Sequence, residues 1–199
     1  YSTPKAYRPI SLMSFLLKTL ERLCDRYIRD TALTRFPLHP NQHAYCPGRS
    51  TESALHCVVG QIERSLHYKE SALGVFIDIE GAFDKTTFDS IEMALCHHGV
   101  PNVIRGWIAQ LLNLRAVHIS VGDETLRCTV VRGCPQGGVL SPLLWNLTVN
   151  RLLCRLNDSG YYTLGYADDI SILITGKFEA TLCRLMQSAL TVTEEWCRE

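Results

Sequence analysis

The chain has 199 residues, of which 46% are hydrophobic, and its 20 Lys and Arg residues equal its 20 Asp and Glu residues in number. This composition excludes a disordered or fibrous protein and predicts a globular one with a substantial core. No apolar run approaches the roughly 18 residues that a membrane-spanning helix needs. A net charge of zero argues, taken alone, against the uniformly basic surface of many nucleic-acid-binding proteins.

The first third of the chain is predicted to be mainly helical. Leucines at helical spacing indicate an amphipathic helix over about residues 14–29 with a basic side. A loop rich in helix breakers follows at residues 45–50. A second helix then runs from Ser50, its N-cap, to about Leu66.

Strands alternate with helices in the remainder of the chain. The apolar run at residues 73–79 predicts a strand buried on both faces, although it contains Asp78. Helices are predicted over about 88–98, 102–112, 143–156 and from 178 onward, and hairpins over about 117–130 and 161–174. This pattern predicts an α+β protein with one antiparallel sheet covered by helices.

Nine cysteines are scattered along the chain without a Cys-x-x-Cys pair. Their odd number and spacing do not suit a zinc site or a disulfide framework. We therefore expect reduced thiols in an intracellular protein, most of them small core residues. The chain begins without Met and ends inside a predicted helix, which indicates a piece of a longer polypeptide.

Three carboxylates are the candidates for chemistry. Asp168 and Asp169 lie at the tip of the second hairpin, where adjacent charges repel unless a cation lies between them. Ordinary turn chemistry is the alternative for this pair, and a core aspartate with protein donors is the alternative for Asp78. On neighbouring strands, the three could hold two Mg²⁺ ions for in-line phosphoryl displacement, as in polymerases and several nucleases.

The segment Gly133-Cys134-Pro135-Gln136-Gly137 is a second candidate. Its glycines allow the backbone to approach a ligand closely, and the Gln136 amide can donate and accept at a sugar or a base edge. A plain loop that ends before a helix is the alternative for the same residues.

Five motifs lie in order along the chain: residues 7–12, Gln42 with residues 47–51, residues 76–84, residues 133–142, and Tyr166-Ala167-Asp168-Asp169. In this order they resemble the reverse transcriptase domain of non-LTR retrotransposons, the LINE-like elements of the Jockey and related groups. The resemblance implies an α+β right-hand polymerase fold, with fingers in residues 1–70, to which part of 101–132 could contribute, and palm in residues 71–199. The thumb, the endonuclease and the C-terminal parts would lie outside this chain.

The resemblance also implies roles for individual residues. Asp78, Asp168 and Asp169, with the carbonyl of Ile79, would bind two Mg²⁺ ions, with Mn²⁺ as a substitute. The nucleotide-binding set would be Lys5, Arg8, Glu80, Gly81, Ala82, Phe83 and Gln136, with the Phe83 ring excluding a ribose 2′-hydroxyl. The set that contacts template or primer would be Gly48, Arg49, Pro135, Gly137 and Tyr166.

The implied activity is RNA-directed DNA polymerisation in target-primed retrotransposition. The partners would be an RNA template, a DNA primer or target DNA, and dNTPs, with no membrane and with unknown protein partners. The family implies a cytoplasmic ribonucleoprotein and the nucleus as locations. Two alternatives stay open: a catalytically inactive or domesticated nucleic-acid-binding module, and an unrelated two-metal phosphodiesterase.

The zero net charge conceals an uneven distribution. Residues 1–50 carry eight Lys and Arg against three Asp and Glu, whereas residues 51–100 carry three against eight. The basic part coincides with the region expected to meet template and triphosphate. The acidic part contains Asp78, whose charge a bound cation would offset.

Overall fold

The computed structural model describes residues 11–199, which form two compact units. Unit 1 consists of the described residues up to Pro37 and of Gly81–Trp145, and unit 2 consists of Leu38–Glu80 and Asn146–Glu199. The assignment of fingers to residues 1–70 and palm to 71–199 stays a prediction.

The elements follow one another in an α+β order. They are α1 (Phe15–Tyr27), a π-helical turn (Ile28–Ala32), α2 (Leu33–Arg35), α3 (Thr51–His67), β1 (Ser71–Asp78), α4 (Ala82–Lys85), α5 (Phe88–His97), α6 (Asn102–Asn113), β2 (Ala116–Val121), β3 (Glu124–Thr129), α7 (Ser141–Asp158), β4 (Tyr162–Tyr166), β5 (Asp169–Gly176) and α8 (Glu179–Arg198). The predicted helices and hairpins are confirmed with small shifts at their ends. Ser50 caps α3 as predicted, in a capping box with Ser53.

Unit 2 is built on a three-stranded antiparallel sheet in the order β1-β5-β4. The central strand β5 is buried along most of its length. On one face, Ala54 and Val58 of α3 form a buried cluster with Leu164 and Leu173 of the sheet. This packing anchors α3 on the sheet through β4 and β5.

The prediction that β1 is buried on both faces is wrong. Its residues alternate instead: Leu73, Val75 and Ile77 are half-buried, whereas Phe76 is 72% exposed and Asp78 is exposed. The reason is that β1 is the edge strand of the sheet in the described residues, paired with β5 alone. Asp78 therefore needs no buried partner to be tolerated.

Unit 1 packs helices α5 and α6 against each other through Ile91, Leu95, Ile108 and Leu112, which are almost fully buried. Strands β2 and β3 form a separate hairpin with an antiparallel register. The described residues thus contain two sheets rather than the one that we expected.

The expected burial of the cysteines is also wrong, because only Cys134 is buried among the nine. Three of the others are half-buried, and five are exposed. No helix within residues 11–199 combines the length and the apolar character needed to cross a membrane.

Candidate active site

The three aspartates of the third and fifth motifs lie at one end of the unit 2 sheet. The register of β1 and β5 places Asp78 directly opposite Asp169, so that both side chains lie on the same face of neighbouring strands. Asp168 lies in the adjoining turn after Ala167, which has a left-handed φ of 55°. The Ile79 N–H donates to the Asp168 carbonyl at 3.0 Å and ties the end of β1 to this turn.

The charges of this cluster interact. The pKa of Asp169 is raised above its ordinary value by burial, and further by the nearby carboxylates of Asp168 and Asp78. Burial raises the pKa of the Tyr45 phenol, with smaller contributions from Asp168 and Tyr166. Tyr45 is therefore a neighbour of the cluster that sequence reasoning did not identify as a site residue.

The donor set fits a hard divalent cation by its chemistry, because carboxylate and carbonyl oxygens are the ligands that Mg²⁺ prefers. In the described part of the chain, however, no three His, Cys, Asp or Glu side chains close into a ready-made metal site. The strand register still brings Asp78 and Asp169 to the same end of the sheet.

The glycine-rich segment of unit 1 lies against the turn that precedes α5. The Gly133 N–H donates to the Thr86 carbonyl at 2.7 Å, and the Cys134 N–H donates to the Phe83 carbonyl at 2.6 Å. Gly133 has a φ of 84°, and a Cβ there would lie 2.5 Å from the Asp84 carbonyl oxygen. Only glycine permits this close approach of two backbones.

The side chain of Gln136 is oriented by an aspartate. Its Nε2 donates to both carboxylate oxygens of Asp84, at 2.9 and 3.1 Å. The half-exposed Phe83 ring lies 6.2 Å from the ring of buried Trp145. The structure thus brings Phe83 and Gln136 into one part of unit 1.

Two side chains donate hydrogen bonds to backbone carbonyls of the segment that carries Gln136. The Arg115 guanidinium donates to the Gly133 carbonyl, and the Ser141 hydroxyl donates to the Pro135 carbonyl at 2.8 Å. Burial of Cys134 raises the pKa of its thiol to about 12, so the thiol stays neutral. Gly137 is exposed, with a φ of 96°.

The remaining nucleotide-binding candidates lie in different parts of the chain. Gly81, with a φ of 75°, is the N-cap of the four-residue helix α4, and Ala82 is buried behind it. Glu80 is exposed at the end of the first segment of unit 2. Lys5 and Arg8 lie outside the described residues.

The template candidates of unit 2 occupy a loop and a strand end. The exposed Arg49 donates to the carbonyls of Pro40 and Gln42, the latter at 2.8 Å, and so stabilises its own loop. Gly48 has a φ of 73° with open space around it. The Tyr166 ring packs beside the α3 cluster.

Three asparagines of α7 support this loop, and sequence reasoning missed them. Asn146, fully buried, accepts from Gln42 Nε2 at 2.7 Å and donates to the Ala44 carbonyl at 2.8 Å. Asn150 accepts from the His39 N–H at 2.6 Å. Asn157 accepts from Asn41 Nδ2 at 3.2 Å. The signal available in the sequence was three amides at helical spacing in a helix rich in leucine.

Comparison with known proteins adds a family match. The profile described as "Reverse transcriptase (RNA-dependent DNA polymerase)" matches residues 2–199. A Pol polyprotein from the type-1 retrotransposable element R1 of Bradysia coprophila is 32% identical over 98% of this chain and 19% of its own length. The polymerase from the Drosophila melanogaster mobile element jockey is 26% identical over 96% of this chain and 21% of its own length. The chain spans only about a fifth of either relative.

Solved structures share the fold at low sequence identity. Telomerase from Candida tropicalis in complex with a TWJ fragment of telomeric RNA matches 86% of this chain and 30% of its own, with a TM-score of 0.60 and 10% identity. Apo telomerase from the same organism, truncated from its C-terminal domain, matches 88% and 36%, with a TM-score of 0.59 and 9% identity. At such identities the likeness concerns the fold alone.

Proposed function

Because this chain belongs to the reverse transcriptase (RNA-dependent DNA polymerase) family, we propose that the protein containing it is the RNA-directed DNA polymerase of a non-LTR retrotransposon. The observation that carries the proposal is the pairing of Asp78 with Asp169 across β1 and β5, with Asp168 in the adjoining turn. In target-primed retrotransposition, the enzyme would extend the 3′-hydroxyl of target DNA along an RNA template.

Asp78, Asp168, Asp169 and the Ile79 carbonyl would hold two Mg²⁺ ions, or Mn²⁺ in their place. Two such ions supply activation of the attacking hydroxyl and stabilisation of the leaving phosphate oxygens. The chain contributes carboxylates fixed on two paired strands, with the backbone bond from Ile79 to Asp168 holding the turn in place.

The nucleotide would lie along the backbone of residues 80–83, with Lys5 and Arg8 supplying positive charge to the phosphates. The Phe83 ring, supported by Trp145, would meet the sugar and exclude a 2′-hydroxyl. The Gln136 amide would contact the sugar 3′-hydroxyl and the template base, in the orientation that Asp84 imposes.

Gly48, Arg49, Pro135, Gly137 and Tyr166 would contact template or primer. An RNA template would be recognised there mainly by its backbone and shape. Residues 1–70 would act as fingers and residues 71–199 as palm, in a protein that works as a cytoplasmic ribonucleoprotein and in the nucleus.

Primer extension on poly(rA)/oligo(dT) with Mg²⁺ tests this function in the full-length protein. We expect extension by the wild type and a loss of at least about 100-fold in Asp168→Asn, because the variant removes a charged ligand at the metal-binding cluster. Asp123→Asn, in the turn between β2 and β3, is the matched control and should extend normally. RNA binding without extension by the wild type would instead indicate an inactive or domesticated nucleic-acid-binding module.

A further inference from the structure

Glu21 is a fully buried carboxylate that the proposed chemistry does not use. It lies in α1 with 0% of its surface exposed. Its Oε2 accepts from the Val139 N–H at 2.6 Å and more weakly from the Leu140 N–H at 3.4 Å. Its Oε1 is buried and has no hydrogen-bond partner in the described part of the chain. Because a buried charge is costly, an apolar residue would suit a purely packing role better.

The position of Glu21 explains how the charge is tolerated. The Leu140 carbonyl accepts from the Leu144 N–H at 3.0 Å, so α7 effectively begins at Leu140. The first N–H groups of a helix lack intrahelical partners, and the helix dipole there favours a negative charge. Glu21, from a different helix, therefore accepts hydrogen bonds from the N–H groups just before α7, near the positive end of the helix dipole.

The same contact fixes one end of the segment that carries Gln136. The other end is held where Gly133 and Cys134 donate to the carbonyls of Thr86 and Phe83. Gln136 lies between these two anchors, and the bond from the Gly138 N–H to the Pro135 carbonyl, 2.9 Å long, makes the intervening turn compact. Loss of the Glu21 anchor would loosen the segment at Val139 and Leu140, while the bonds at Gly133, Cys134 and Pro135 remain.

We propose that Glu21 is a positioning residue for nucleotide binding, acting through the backbone of Val139 and Leu140 to hold Gln136 in place. The inference rests on the proposed function, because it is Gln136 that would contact the incoming nucleotide. Glu21 itself touches no reacting group.

Two variants in the full-length protein test the inference. Glu21→Met keeps the approximate volume and removes both acceptor oxygens, whereas Glu21→Gln keeps one acceptor for the Val139 N–H. From the usual strength of a hydrogen bond to a charged group, we expect Glu21→Met to raise the KM for dNTP about tenfold or more, with a smaller change in kcat. Glu21→Gln should restore part of this loss. Glu63→Met, on the exposed side of α3, is the matched control.

Hydrogen exchange provides a readout that does not depend on activity. In Glu21→Met, the amides of Val139 and Leu140 should lose protection, while those of α5 and α6 keep theirs. Unchanged protection together with an unchanged KM would overturn the inference, and so would a lower melting temperature with the KM unaltered. A wild type that fails to extend primers would refute the proposed function, and exchange at Val139 and Leu140 would still decide whether Glu21 anchors this segment.

Discussion

Like charges face each other where Asp78 and Asp169 pair across β1 and β5, with Asp168 beside them. Directly opposed like charges destabilise a sheet. The pKa of Asp169 is raised first by burial and then by the carboxylates of Asp168 and Asp78, and all three effects disfavour its ionised form in the folded protein. The site is therefore expected to trade stability for the ability to bind cations.

We predict that Asp169→Asn abolishes primer extension and raises the melting temperature in EDTA. A carboxyl whose pKa is raised by folding contributes stability at low pH and loses it as the pH rises through the raised pKa. The advantage of the variant should therefore be small at about pH 4 and larger at about pH 7.5. Thermal unfolding at both pH values measures it, with Asp123→Asn as the control. A variant that is less stable than wild type at the higher pH would contradict the prediction.

The orientation of Gln136 depends on Asp84, which accepts both bonds from its Nε2. In Asp84→Ala the amide can rotate, so we expect the KM for dNTP to rise roughly three- to tenfold, as for the loss of about 1 kcal/mol of hydrogen bonding. Steady-state kinetics on the homopolymer template measure the change. Asp89→Ala, in the first turn of α5, is the control and should leave the KM unaltered. Equal KM values in Asp84→Ala and wild type would show that Gln136 is oriented by other contacts.

Site residues could be predicted from the sequence where they belong to a motif. The pairing of Asp78 with Asp169 agrees with the expectation that the three carboxylates lie on neighbouring strands. Glu21 could not be identified in this way, because its partner Val139 is 118 residues away and nothing local marks the contact. Tyr45 was missed for the same reason, since its neighbour Asp168 is remote in sequence.

At the level of elements, helix α7 carries asparagines whose side-chain amides bond to the loop that contains His39, Gln42 and Ala44. Asn146 is its most buried amide, with bonds to Gln42 and to the Ala44 carbonyl. We predict that Asn146→Leu destabilises the protein by roughly 2–3 kcal/mol, because the Gln42 amide would be left buried without a partner. Denaturant unfolding measures the loss, and Asn113→Leu, at an exposed helix end, is the control. If Asn146→Leu lowered the free energy of unfolding no more than Asn113→Leu does, the bonds of Asn146 would not contribute measurably to stability.

Element boundaries were predictable because their signals are local. Ser50 caps α3, and Gly99 with Pro101 separates α5 from α6, as the residue types alone indicate. The burial of β1 was not predictable from its apolar composition. Its position at the edge depends on strand order, and β5, its single partner within residues 11–199, follows about 90 residues later in the chain.

On the scale of the whole molecule, each unit consists of two separate stretches of sequence, since unit 2 combines Leu38–Glu80 with Asn146–Glu199. Boundaries drawn as continuous ranges cannot describe such units, because composition changes along the chain do not reveal which distant stretches pack together. Unlike the unit boundaries, the distribution of charge along the chain can be counted directly from the sequence. The basic excess of residues 1–50 includes three cations of α1, Lys18, Arg22 and Arg26, and Arg29 of the π-helical turn that follows it.

Arg22 and Arg26, exposed and one helical turn apart on α1, provide a test of whether this basic excess binds the template. Each phosphate contact contributes about 0.7–0.9 to the dependence of log K on log salt concentration. If both arginines contact phosphates, the double variant Arg22→Gln/Arg26→Gln should reduce that slope by about 1–2 for an RNA–DNA hybrid. Fluorescence anisotropy from about 50 to 200 mM salt measures it in the full-length protein.

The control is Arg184→Gln/Arg198→Gln on α8, which removes the same charge from unit 2. If binding depended on net charge alone, both double variants would change the slope equally, since each lowers the total by two. A reduction confined to the α1 variant would instead locate phosphate contacts on the basic side of that helix. The zero net charge would then be no obstacle to nucleic-acid binding, because binding would depend on where the cations lie rather than on their sum.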